Sequence, residues 1–160
     1  GVRDQAPLSA RADVLTFTSA QLEAPYTIMG QVSAELWAGS SAPDTDFVVR
    51  LVDVQPSGFM HNLCDGIVRA RYRDSLTEPK WLAAGQTYAF HIDLWSTAHT
   101  FLPGHRIGLQ VTSSNFPRYD RNLNTTDPPG TGVRGVKAEQ TVWLGGGRPS
   151  RLQLPVVPAA

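Results

Sequence analysis

The chain has 160 residues, enough for one domain, and 14 Lys plus Arg balance 14 Asp plus Glu, so the formal net charge is zero. A neutral chain lacks the basic excess that releases counterions, so neither nucleic acid nor a membrane is an expected partner. Cys64 is the single cysteine, which excludes an internal disulfide and a cysteine-based zinc site and leaves the compartment open, with the cytoplasm favoured over secretion.

Gly1 to Ala12 is polar and without period, and reads as a linker or a surface arm. From Asp13 onward the period is two, that of strands with one buried face. Val32, Ala34 and Leu36 alternate with Ser33, Glu35 and Trp37. The segment Asp46–Val54 is followed by Pro56-Ser57-Gly58, where proline presets a turn and glycine supplies positive φ. Asp65-Gly66 reads as a two-residue hairpin between Phe59–Cys64 and Ile67–Arg73, which predicts a three-stranded meander.

Gly85 precedes a strand with Tyr88, Phe90, Ile92 and Leu94 on one face. Pro103-Gly104 precedes another with Ile107, Leu109 and Val111 on one face and Gly108, Gln110 and Thr112 on the other. That strand opens into Asn115–Asn124, a loop dense in aromatic and charged groups. Residues 125–135 form a long, breaker-rich stretch expected to be mobile, Leu152 and Leu154 mark a last strand, and 157–160 is a tail. With 12 prolines and 14 glycines, helix is limited to a turn or two. Nine or ten short strands predict an all-β, two-sheet sandwich over residues 13–156.

Catalytic chemistry is hard to place. A Gly-x-Ser-x-Gly elbow does not occur, and Ser113 and Ser114 end a strand outside any such context. His61, His91, His99 and His105 read as surface or strand histidines, so no catalytic residue is assigned. Asp44 and Asp46 lie two apart without the dense acidic loop that calcium needs, so no metal and no cofactor is expected.

Arg69, Arg71 and Arg73 would share one strand face at roughly 7 Å spacing, a row that repels itself unless carboxylates face it. Asp44 and Asp46 are the candidate partners in a structural ion-pair ladder. The alternatives are contact with a neighbouring domain or an anionic ligand. In the loop, Asn115, Phe116, Arg118, Tyr119, Asp120 and Arg121 are candidates for a domain interface, because aromatic groups with arginine make contact hot spots. The opposing reading is a self-packed loop in which Asp120 holds Arg118 or Arg121.

Several blocks carry a resemblance. Asp13-Val14-Leu15-Thr16-Phe17, Ala42 through Val54, Asp65 through Ser75, Phe101-Leu102-Pro103-Gly104-His105-Arg106 through Asn124, and Pro149 through Pro155 resemble, in order, the C-terminal β domain of the cocaine esterase and X-prolyl dipeptidyl-peptidase family of serine hydrolases. That resemblance implies a jelly-roll, galactose-binding-like fold. It also implies a non-catalytic role, packing on the α/β-hydrolase and cap domains of one parent chain, with a homodimer contact a further implication. The nucleophile, acid and base would lie in the hydrolase domain. The competing function is an autonomous module binding carbohydrate or another small ligand, suggested by Trp37, Trp81, Trp95 and Trp143. A surface buried against neighbouring domains is expected to be unusually apolar.

Overall fold

The structure, a computed structural model, describes residues 2–158. Gly1 of the expected arm and residues 159 and 160 of the expected tail lie outside them. Among the described residues, eight strands form two antiparallel sheets: β1 (Val14–Thr18), β2 (Tyr26–Ser40), β3 (Asp46–Val54), β4 (Met60–Arg69), β5 (Tyr88–Phe101), β6 (Arg106–Thr112), β7 (Gln140–Trp143) and β8 (Arg151–Gln153). The first sheet has the order β1-β6-β3-β4. In the second, β5 lies on one side of β2, and β7 and β8 lie on the other. Helix among the described residues is confined to α1 (Ala6–Ser9) and one 3-10 turn, Ala70–Tyr72.

The alternation read from the sequence places the core. Val32, Ala34 and Leu36 of β2 and Phe90, Ile92 and Leu94 of β5 are buried, and Phe47, Val49 and Leu51 of β3 meet them from the opposite sheet. The Phe47 and Phe90 rings stand 4.7 Å apart at 46°. Burying each such side chain contributes about 1.5–3 kcal/mol. Opposite Val32, β5 carries two residues, a bulge that leaves Trp95 at φ 68° with its side chain exposed.

The Asp65-Gly66 hairpin does not form. β4 runs unbroken from Met60 to Arg69, with Arg50 opposite Asp65 and Val49 opposite Gly66. The expected three-strand meander is therefore one hairpin, closed by the Pro56-Ser57-Gly58 turn. Glycine at 66 answers a different need: a Cβ there would collide with the carbonyl oxygen of Asp93, so Gly66 lets β4 and β5 close one side of the sandwich.

Neither face of β6 is left open to water at Gln110. Gln110 is 1% exposed, because residues 4–9 lie across the outer face of the first sheet. Gln110 Nε2 donates to the Gln5 carbonyl and to Ser9 Oγ, both at 3.0 Å, and Gln5 N donates to the Met60 carbonyl at 2.9 Å. Central strand β3 is consequently buried on both faces.

Candidate interaction surface

The loop after β6 is fastened at two points, and both are built from buried charge. At its start, Asn115 is an anchor. Its Oδ1 accepts from Arg50 Nη2 at 2.8 Å, while its Nδ2 donates to Asp65 Oδ2 at 3.1 Å. Arg50 also donates to Gln110 Oε1 and stands 3.7 Å from Asp65. Burial, partly opposed by Asp65, lowers the Arg50 pKa from its ordinary value. Arg118 Nη1 lies 3.0 Å from Asp65 Oδ1 but off the line of a hydrogen bond. That oxygen is the one buried side-chain polar atom without a hydrogen bond among the described residues.

At the far end, Asn122 Nδ2 bridges two carboxylates, 2.7 Å from Asp44 and 2.8 Å from Asp46. Asp44 also accepts the backbone amide and Nε of Arg71, at 2.8 and 2.7 Å. Asp46 pairs in a fork with Arg69, at 2.9 and 3.1 Å. The hydrogen bond that Arg69 donates to Asp46, ahead of the desolvation that opposes it, raises the Arg69 pKa. Arg71 continues outward to the carbonyls of Thr125 and Asp127, at 2.7 and 2.8 Å, and stacks 4.5 Å over Trp81. The base of the 125–135 stretch is thus pinned.

The expected row of arginines on one strand face is absent. β4 ends at Arg69, because Asp44 captures the Arg71 amide and the Thr45 carbonyl accepts Ala70 N, turning the chain into the 3-10 helix. Each arginine finds its own partners instead. Arg73 donates to the carbonyls of Ala70 and Lys80 and lies 4.4 Å over Tyr88.

Between the anchors the chain turns outward. Phe116 is 59% exposed, Arg121 stacks 4.9 Å over it, and Arg118 lies 5.5 Å over Tyr119. Asp120 accepts the backbone amide of Arg121. Sequence reasoning placed Asn115 among contact residues and missed Asn122, Arg50 and Asp65 altogether; only the density of Asn in 115–124 hinted at anchoring.

A second buried carboxylate is held by histidines and not by an arginine. Asp53 receives His99 Nε2 at 3.0 Å and His105 Nδ1 at 2.8 Å, one imidazole on each oxygen. A carboxylate only accepts, so each of those nitrogens carries a proton. No hydroxyl is hydrogen-bonded to either ring among the described residues, where Ser113 Oγ instead accepts from Gln140. Nor does any group of three His, Cys, Asp or Glu among them have the placement to hold a metal ion.

Fold and surface together define an all-β sandwich domain that presents a rigidly anchored aromatic and arginine loop. Residues 3–153 match the X-Pro dipeptidyl-peptidase C-terminal non-catalytic domain, and the chain belongs to that family. It is 53% identical over 125 residues to cocaine esterase of Rhodococcus sp. (strain MB1 Bresler), covering 78% of this chain and 22% of that protein. Among solved structures it is similar to an aminopeptidase from a marine sediment Thaumarchaeota archaeon, with a TM-score of 0.90 and 35% identity over 98% of this chain and 28% of the other. An alpha-amino acid ester hydrolase gives a TM-score of 0.89 and 39% identity over 98% of this chain and 27% of the other. The chain spans less than a third of the length of each relative, and in them the matching region is one part of a larger hydrolase chain.

Proposed function

We propose that this domain serves a serine hydrolase of the acyl esterase or X-prolyl dipeptidyl-peptidase type, packing on its α/β-hydrolase and cap domains. The observation that carries this reading is the loop between Asn115 and Asn122. Its ends are fixed by buried charges, while Phe116, Arg118, Tyr119 and Arg121 occupy the span between them. Pre-ordering such groups lowers the entropic cost of docking, so a rigid loop of this composition suits a permanent contact.

Two measurements test it. The 160-residue chain alone should not turn over p-nitrophenyl acetate; turnover lost on changing Ser113 or Ser114 would contradict a supporting role. In the parent enzyme, Phe116→Ser should weaken domain packing by about 2 kcal/mol, the scale of an aromatic contact hot spot. The melting temperature of the isolated domain should not change.

One observation favours a second reading. Trp95 is 67% exposed on a strained backbone, the kind of flat apolar group that stacks on a sugar ring. A glycan array showing saturable binding lost in Trp95→Ala would select the carbohydrate module over the docking domain.

A further inference from the structure

On the side opposite the Gly66–Asp93 closure, the two sheets part. One lip of the seam is β1, and the other is β7 followed by β8. Two adjoining hollows of about 510 and 240 Å³ run along it, sharing Val111 and Val142. Leu15 and Phe17 from β1, Leu109 from β6, Leu144 just after β7 and Leu152 from β8 face this space. Leu15 is 44% exposed and Leu144 is 61% exposed. Among the described residues β1 pairs only with β6, and β7 and β8 pair only with β2, so each lip offers unpaired backbone groups.

We propose that an extended apolar segment of the parent polypeptide, from outside these 160 residues, lies in this seam. It pairs with the β1 edge and seats alternate side chains between the sheets. The inference rests on the reading of the chain as one domain of a larger hydrolase.

The relatives provide the material, since more than two thirds of each lies outside the matching region. The seam's form selects a strand over a helix: its lips are strand edges that need backbone partners, and a strand presents a side chain to one face every second residue. One end of the larger hollow is polar, with Asp13, Asn122, Asn124 and Gln140, and suits the point where the segment leaves the apolar interior. A second copy fits less well. A two-fold contact through β1 would pair the two β1 edges and leave Leu144 and Leu152 uncovered.

Hydrogen–deuterium exchange on the parent enzyme and on the 160-residue chain tests this. Amides of Val14–Thr18 and Gln140–Trp143 should exchange about tenfold or more slowly in the parent than in the isolated chain. Leu144→Asp should remove that protection in the parent without shifting the melting temperature of the isolated chain. Equal exchange of both strands in the two forms, with Phe116–Arg121 protected only in the parent, would overturn the seam proposal while leaving the docking role intact. No added protection anywhere in the parent would overturn both. Slowing that appears in the isolated chain together with concentration-dependent dimerisation would assign the seam to a second copy and overturn the proposal.

Discussion

Arg71 gives both its backbone amide and its Nε to the fully buried carboxylate of Asp44, at 2.8 and 2.7 Å. One residue thereby ends strand β4, neutralises an interior charge and holds the 125–127 backbone. Asp44→Ala would leave the Arg71 guanidinium buried without its counter-ion and remove one of the two carboxylates that hold Asn122. The expected cost is about 3–5 kcal/mol in urea denaturation, the range for breaking a buried pair. A loss below about 1 kcal/mol would show that the pair contributes little.

Gly66 faces the Asp93 carbonyl at the closed side of the sandwich. Gly66→Ala should destabilise by about 1–3 kcal/mol, because the added methyl group meets backbone and not a movable side chain. The same change at Gly58, where no atom stands within 4 Å of the new carbon, is a control for positive-φ strain alone. A loss at Gly66→Ala below about 0.5 kcal/mol would argue against close sheet approach as the reason for glycine at 66.

Burial, with the nearby Asp65 charge adding to it, pushes the Cys64 thiol up to about 11 from an ordinary value of 9.0. The folded protein keeps its proton to higher pH than the unfolded chain does. Stability from this residue is therefore complete below pH 9 and falls as the pH rises towards 11. Denaturation midpoints measured across that interval should decline, with a shallower slope in Cys64→Ala. Ellman's reagent at pH 8 should label the native thiol far more slowly than the unfolded one.

His105→Ala would strip one of the two imidazole donors from Asp53, whose side chain is 4% exposed. The expected loss is about 1–3 kcal/mol, the penalty for an unmet buried acceptor. His91→Ala changes a ring that is 77% exposed, so its effect should stay within about 0.5 kcal/mol. Urea melts of the two variants side by side would check the contrast.

The sheet architecture was legible because its signal is local: the alternations at 32–36 and 88–94 each write a buried face directly into the chain. Asp65-Gly66 misled because glycine serves two needs, positive φ in a turn and close approach of backbones, and sequence does not distinguish them. The arginine row failed for a related reason. Period two in the residue pattern continues past Arg69, but Asp44, 27 residues earlier in the chain, stops the strand there. Asn122 and the histidines on Asp53 were unreadable because their partners lie 78, 46 and 52 residues away.

Strand β2 is 15 residues long and hydrogen-bonds to β5, β7 and β8. It works as the spine of its layer: β7 and β8 are short ribs with no ladder to each other, and neither has a sheet to belong to once the spine gives way. A proline set into its middle would scatter three neighbours in a single event. Melting of that half of the molecule should accordingly be abrupt, without gradual peeling from its margins.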